Sequence, residues 1–186
     1  MSLFDRIKHA HLVHRSTPVA DRAVYKAIQR TPPRSIVEIG LGTGQRAVKA
    51  IALAAQLRGE RIAYTAVDLF ETSPAGRPAL ALKKAHQLLA ATGAKVQLIP
   101  GDPFAALARM ANSLLGTDLV IISADQAGPS LDRAWFYVPR MLHDASLVLL
   151  ERPIRGKGKD ESTEFEQLTK SDIVRRFAAE PRRRAA

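Results

Sequence analysis

The sequence contains no cysteine, which excludes disulfides, thiolate-bound metals and cysteine nucleophiles. It has no run approaching the roughly 18 consecutive apolar residues of a membrane span, so we predict no membrane partner. Residues 1–15 carry charges and three histidines where a signal peptide would need an apolar core. These absences favour a cytoplasmic protein. Aromatic residues are also scarce, at 5% of the chain with one tryptophan.

The length and hydropathy suit one globular domain. The chain has 186 residues, of which 46% are hydrophobic. We predict a single domain over 17–180, an N-terminal lid or flexible segment over 1–16 and a basic tail over 181–186. The net charge of +10 is concentrated towards the two ends. It could attract nucleic acid or acidic substrates, although few aromatic residues are interleaved with the charges, and a solvated basic surface is the simpler interpretation.

Short β-branched segments alternate with helical ones along the chain. This alternation predicts right-handed βαβ units, and hence an α/β fold with a doubly wound, mostly parallel sheet and helices on both faces. Strands are predicted over 35–39, 62–67, 96–99, 119–122 and 146–150, with a final strand over 163–169. Helices are predicted over 18–30, 45–57, 80–89, 103–115, 131–142 and 171–179.

The most informative stretch runs from Ser35 to Gly44, with the sequence SIVEIGLGTG. A short strand, three alternate glycines and an alanine-rich helix form a strand-turn-helix that lets a ligand approach bare backbone. This predicts a nucleotide-type cofactor loop. Residues 42–47, GTGQRA, also satisfy the permissive G-x-G-x-x-A dinucleotide pattern, so a dinucleotide enzyme is the competing interpretation.

Two details distinguish these cofactor classes. Gly40 closes the strand directly, and a carboxylate, Glu38, comes just before it. The order E-x-G-x-G-x-G over 38–44 resembles motif I of class I S-adenosylmethionine-dependent methyltransferases, and the resemblance covers roughly residues 17–152. It implies S-adenosylmethionine as cofactor and a Rossmann-like sheet of order 3-2-1-4-5. That family usually ends with an antiparallel strand pair, for which this chain has room in reduced form only.

Acidic residues end the predicted strands. In doubly wound sheets, ligands bind beyond the carboxyl ends of the strands. A rim of carboxylates there would repel the pyrophosphate of a dinucleotide, but it suits S-adenosylmethionine, whose sulfonium and ammonium outweigh its one carboxylate. The strand ends are Glu38, Asp68, Asp102, Asp125 and Glu151.

The resemblance implies a role for each cofactor residue. Asp68 matches the residue that accepts hydrogen bonds from the ribose diol, and Asp102 lies where the family contacts adenine. Glu38 would help to orient the cofactor ammonium group or the loop itself. Each carboxylate also has a structural interpretation: Asp102 as a helix N-cap, Glu38 as a brace of the loop and Asp68 as a loop carboxylate. The glycines that would lie against the methionine portion are Gly40, Gly42 and Gly44.

Strand four and the residues that follow it bear on metal dependence. Residues 118–125 resemble the corresponding strand of catechol-type O-methyltransferases, but Ser123 replaces the first aspartate of the pair. After strand five those enzymes supply Asp-Asn, whereas this chain has Glu151 and Arg152. A hard-cation site needs several oxygen ligands, so we predict no metal site. Asp125 remains as the candidate catalytic base for a hydroxyl acceptor.

The histidines divide into two groups. His86 lies mid-helix and His143 lies at the opposite end of the sheet, so both are interpreted as structural. The N-terminal histidines could supply a general base if that segment folds over the crevice, although an exposed N-terminus is the simpler interpretation. These residues are His9, His11 and His14.

The function predicted from the sequence is methyl transfer from S-adenosylmethionine to an oxygen or nitrogen nucleophile of a small-molecule acceptor, independent of metal. One alternative is an RNA methyltransferase or RNA-binding module that uses the basic termini to bind phosphates. Another is a non-catalytic member that binds the cofactor without turnover.

Overall fold

The computed structural model describes residues 16–72, 80–154 and 162–177. Apart from Ser16, the predicted N-terminal segment and its histidines lie outside these ranges, and so does the predicted basic tail. The predicted loop after strand two lies partly outside them.

Helices and strands alternate along the described chain, as the sequence predicts. The order is α1 Asp21–Arg30, β1 Ser35–Ile39, α2 Gln45–Arg58, β2 Ala63–Asp68, α3 Leu82–Ala90, β3 Lys95–Pro100, α4 Pro103–Met110, β4 Thr117–Ile122, α5 Pro129–Ala134, α6 Val138–Met141, β5 Leu142–Pro153, β6 Thr163–Thr169 and α7 Lys170–Phe177. Short 3₁₀ turns follow β2, α4 and β4, at Phe70–Thr72, Ala111–Leu114 and Ala124–Gln126.

The sheet has the order β3-β2-β1-β4-β5-β6 over the described residues. The first five strands are parallel, and β6 pairs antiparallel with β5, from Leu147 opposite Thr169 to Pro153 opposite Thr163. The predicted fold class and the order 3-2-1-4-5 are therefore confirmed. The carboxyl ends of β1 and β4 are adjacent at the point where the strand order reverses, which is where such sheets bind ligands.

Two apolar layers cover the faces of the sheet. On one face α1, α2 and α3 pack through residues such as Ile28, Ile51 and Leu89. On the other face α4 to α7 pack through residues such as Leu107 and Trp135. The central strands are buried on both faces, which explains why they appear in the sequence as continuous apolar runs rather than alternating ones.

The helical segments differ from prediction in three places. Helix α4 ends at Met110 and is followed by a 3₁₀ turn, rather than continuing to residue 115. The helix predicted over 131–142 is two short helices, because Pro139 has no N–H to donate to the carbonyl of residue 135. Helix α5 starts at Pro129, two residues before the predicted start, with Gly128 as its N-cap residue. Helix α1 starts at Asp21 rather than Pro18, because residues 18–21 form a separate turn whose Asp21 N–H bonds the Pro18 carbonyl.

Among the helices in the described ranges, none combines the length and apolar character needed to cross a bilayer.

Candidate functional site

The glycine loop joins β1 to α2 and approaches the turn that follows β4. Gly40 has a φ of +90°, and a Cβ built on it would lie 2.8 Å from side-chain carbons of Ser123 and Gln126. Only glycine allows this contact in this backbone conformation. Gly42 has a φ of +56° but faces open space, with no heavy atom within 4 Å of its Cβ position. The loop therefore packs tightly at Gly40 and leaves room for a ligand at Gly42.

The carboxylate of Asp68 holds this loop from beneath. Its Oδ2 accepts hydrogen bonds from the backbone N–H groups of Leu41 at 2.6 Å and Gly42 at 3.2 Å. Its Oδ1 accepts from Leu69 at 2.6 Å and Phe70 at 3.3 Å. Asp68 is 7% exposed. The two hydrogen bonds from Leu41 and Gly42 connect the end of β2 to the glycine loop, so the Asp68 carboxylate shapes the loop in the absence of any ligand.

Glu38 forms a buried ion pair with Arg46. Glu38 is 0% exposed, and its Oε1 lies 2.7 Å from Nη2 of Arg46, with a further hydrogen bond from Nε at 2.8 Å. Its other oxygen accepts a hydrogen bond from the hydroxyl of Tyr64. A carboxylate placed inside the sheet needs such partners, because an unpaired charge there is costly. Glu38 is connected to the loop indirectly, through Arg46, whose Nη2 lies 3.5 Å from the Gly40 carbonyl oxygen, and its role in orienting the loop or a cofactor ammonium group stays a prediction.

Arg46 also contacts two further carboxylates. Its Nη1 lies 3.5 Å from Oδ1 of Asp21 and 3.5 Å from Oε2 of Glu151. Burial alone would lower the pKa of Arg46, but the charges of Glu38 and Asp21 outweigh it and raise that pKa. Burial raises the pKa of Asp21, and the nearby Arg46 only partly opposes this. Three carboxylates around one guanidinium give the cluster an excess of negative charge.

A crevice of about 780 Å³ opens above this cluster at the carboxyl edge of the sheet. Its wall includes Gly40, Gly42, Arg46, Asp125 and Glu151. Asp125 is exposed on the turn after β4, where its Oδ2 accepts a hydrogen bond from Nε2 of Gln126 at 3.1 Å. Asp125 is thus accessible to a ligand in the crevice. The buried Glu38 is enclosed by protein, and Asp68 and Gly44 lie behind the loop rather than in this wall.

Asp102 is the N-cap residue of α4. Its Oδ1 accepts hydrogen bonds from the N–H groups of Phe104 at 3.0 Å and Ala105 at 3.2 Å, and from the hydroxyl of Ser130. The hydrogen bond from Ser130 and those from the helix backbone lower the pKa of Asp102. The structural interpretation of Asp102 is therefore realised, and its contact with adenine stays a prediction.

A second cavity, of about 590 Å³, lies at the opposite, amino end of the sheet and contains none of the predicted site residues. His143 lines this cavity, and its Nε2 lies 2.9 Å from Oδ1 of Asp118, a contact consistent with a structural histidine. His86 is exposed on α3. Within the described ranges, no group of three or more His, Asp or Glu side chains is arranged to hold a metal ion.

Arg46 and Asp21 are the site residues that the sequence reasoning missed. The available signal was Glu38 itself: a carboxylate inside an apolar strand requires a cation, and Arg46 is the first one after it. The contact of Asp21 with Arg46 depends on how α1 packs beside α2, so no local sequence signal indicates it.

Comparison with known proteins finds similar folds but no similar sequences. No protein-family model matches the chain, and no curated protein sequence matches it. A Klebsiella pneumoniae protein assigned as an O-methyltransferase superposes with a TM-score of 0.57 at 16% identity, covering 98% of this chain and 80% of that one. A Staphylococcus aureus protein assigned as a caffeoyl-CoA O-methyltransferase gives 0.54 at 17% identity, with 81% and 66% covered.

A methyltransferase from Thiobacillus denitrificans, solved with S-adenosyl-L-homocysteine, gives a TM-score of 0.50 at 16% identity. That match covers 87% of this chain and 60% of the other protein, so the chain spans less than two thirds of its length. The chain has the class I methyltransferase fold. In this fold, the loop after β1 and the ends of β2, β3 and β4 are the elements on which the predicted site residues lie.

Proposed function

We propose that this protein transfers a methyl group from S-adenosylmethionine to an oxygen or nitrogen nucleophile of a small-molecule acceptor. The observation that carries the proposal is the glycine loop, which turns its one open position, Gly42, towards a crevice walled by carboxylates. The sheet order puts this crevice at the switch point between β1 and β4.

The charges of the crevice fit this cofactor better than a dinucleotide. The carboxylates Asp21, Asp125 and Glu151 in the wall, together with the buried Glu38 beneath it, outnumber the two cations of the wall, which are Arg46 and Lys49. An excess of negative charge favours a ligand with a net positive charge and disfavours a pyrophosphate. When bound, S-adenosylmethionine would supply an activated methyl group, so the protein's main contribution is alignment.

The predicted site residues would have separate roles in cofactor binding and catalysis. When the cofactor is bound, the loop glycines Gly40, Gly42 and Gly44 would hold the methionine portion. Asp68, which keeps the loop in shape, would accept hydrogen bonds from the ribose diol, and Asp102 would contact the adenine from the start of α4. Asp68 and Asp102 are not in the crevice wall, so they would hold the part of the cofactor that extends past the loop. Asp125, exposed at the crevice, takes the proton from a hydroxyl acceptor as its oxygen is methylated.

We expect S-adenosylhomocysteine to raise the melting temperature, whereas NAD does not. At 100 times the dissociation constant the gain in unfolding free energy is roughly 2.7 kcal/mol. The variant Gly42→Ala should lose most of this shift, because its methyl group enters the ligand space. Gly59→Ala is the matched control: Gly59 has a similar φ of +67° and equally open surroundings, but it ends α2 away from the crevice wall.

A thermal-shift assay tests this expectation by comparing the wild-type protein, Gly42→Ala and Gly59→Ala, each with S-adenosylhomocysteine and with NAD. Stabilisation by NAD alone would contradict the proposal, and so would an equal loss of shift in Gly42→Ala and Gly59→Ala.

Methyl transfer should not require a divalent metal. Ser123 stands where a first metal carboxylate would be, and its hydroxyl donates to the Gly40 carbonyl at 2.8 Å. Glu151 already has the Arg46 guanidinium 3.5 Å away, and this positive charge would repel a cation. Activity on an identified acceptor should survive exhaustive chelation. Loss of activity on chelation with recovery on adding magnesium or calcium would overturn this expectation and favour the catechol-type mechanism.

A further inference from the structure

An aromatic and basic surface lies on α4, α5 and the turn into α6. Its members form a continuous series of contacts. Ring centroids lie 5.8 Å apart for Phe104 and Tyr137, and 5.2 Å apart for Phe136 and Tyr137. The guanidinium of Arg133 lies 3.5 Å from the Phe104 ring centroid, and that of Arg140 lies 4.8 Å from the Phe136 centroid. We call these five residues the arginine-aromatic surface.

The cations of this surface have no carboxylate partner in the part of the chain that the structure describes. Every ion pair found there involves other residues, and among the described residues neither the Arg133 nor the Arg140 guanidinium donates a hydrogen bond to a protein acceptor. Both side chains are exposed. A guanidinium that stacks on a ring keeps its five N–H donors for another partner. The surface therefore offers free donors for anionic groups beside planar aromatic faces.

The exposure of the rings adds a second feature. Phe136 is 59% exposed, an unusual position for a phenylalanine. Exposed rings give stacking platforms for unpaired bases, and neighbouring arginines bind the phosphates between them. The sequence showed few aromatics among its charges, but folding brings Phe104 of α4 together with residues 133–140, which run from α5 through a turn into α6. The structure therefore places aromatic and basic side chains next to each other although they are separated in the sequence.

We infer that the arginine-aromatic surface binds single-stranded nucleic acid, with bases stacked on Phe136 and its neighbours and phosphates on Arg133 and Arg140. Charge favours this partner over a second copy of the chain, because two copies would bring unpaired arginines together. An acidic peptide would satisfy the arginines but leave the planar rings unused. None of the five residues lines the crevice, so the inference stands independently of methyl transfer.

Fluorescence anisotropy with labelled 12-nucleotide oligouridylate and oligothymidylate tests the inference. The wild-type protein should bind both, and affinity should fall as salt rises. Phe136→Ala should weaken binding roughly fivefold or more, because stacking on one aromatic side chain is lost. Arg133→Gln should weaken binding and reduce the slope of log affinity against log salt by about 0.7, the value for one phosphate contact on a single strand.

Two controls, a matched arginine variant and a competitor without bases, distinguish binding at this surface from attraction by general basic charge. Arg30→Gln removes an equally exposed arginine from α1, which packs on the opposite face of the sheet, and should leave binding unchanged. Circular dichroism should show that all variants are folded, since the substituted side chains are exposed. Inorganic polyphosphate of equal charge should compete poorly, because it has no bases.

Three results would each overturn the inference. The first is no binding of either oligonucleotide, and the second is equal weakening by Arg30→Gln and Arg133→Gln. The third is a wild-type dimer that Phe136→Ala converts to a monomer in sedimentation, since the surface would then join two copies.

Discussion

Replacing Arg46 with leucine should cost about 3 to 5 kcal/mol of unfolding free energy, because it leaves Glu38 buried without its cation. Glu38 is fully buried, and without Arg46 the Tyr64 hydroxyl would be the remaining side-chain donor of a hydrogen bond to its carboxylate. The loss should appear as a lower midpoint in urea denaturation. The ion pair lies directly under the glycine loop, so the variant should also bind S-adenosylhomocysteine weakly.

A matched control separates burial from charge. Arg34→Leu removes an arginine that is 73% exposed and pairs with Glu60 at the surface, so it should change stability by at most about 1 kcal/mol. The double variant Arg46→Leu with Glu38→Gln should recover part of the lost stability, since it removes the unpaired charge. If Arg46→Leu is as stable as Arg34→Leu, the buried ion pair does not support the loop.

Replacing Asp68 with alanine should reduce affinity for S-adenosylhomocysteine roughly ten- to hundredfold, the value of about 1.5 to 3 kcal/mol for a lost charge-assisted hydrogen bond. The sequence predicts this loss without unfolding. The structure adds a stability cost, because Leu41, Gly42, Leu69 and Phe70 would each lose the acceptor of a backbone N–H group. Calorimetry well below the melting temperature measures binding, and urea denaturation measures stability.

Asp144→Ala is the control for removing a carboxylate, since Asp144 is exposed at the amino end of the sheet. The Asp144→Ala variant should change neither the affinity for S-adenosylhomocysteine nor the stability. Unchanged affinity in Asp68→Ala would refute a ligand role for Asp68, and unchanged stability would show that its four backbone contacts are replaceable by water.

The strands could be predicted because local sequence determines them. Residues 35–39 form β1, as their apolar and β-branched character indicates. Residues 163–169 form the predicted β6, although this segment is mostly polar. The three glycines of the loop have positive φ angles that other residues rarely adopt, so the sequence marks them clearly. The capping of α4 by Asp102 follows from an aspartate before Pro103, which is also a local signal.

What the sequence could not provide depends on packing between distant segments. Arg46 reaches Asp21 and Glu151 only because α1 and β5 are brought beside the start of α2. The arginine-aromatic surface requires α4 to lie against α5 and α6. The two hydrogen bonds that Asp68 accepts from Leu41 and Gly42 depend on the loop folding back over the end of β2. In each of these contacts the partner residues are separated by more than 20 positions, beyond the range of any periodic pattern.

A crystal structure of the protein grown with S-adenosylhomocysteine tests the central claim most directly. The account predicts the ligand along residues 40–44, above Gly42, in the crevice whose wall contains Asp125 and Glu151. Binding at the amino-end cavity beside His143, or an empty crevice in crystals grown with a large molar excess of the ligand, would contradict it.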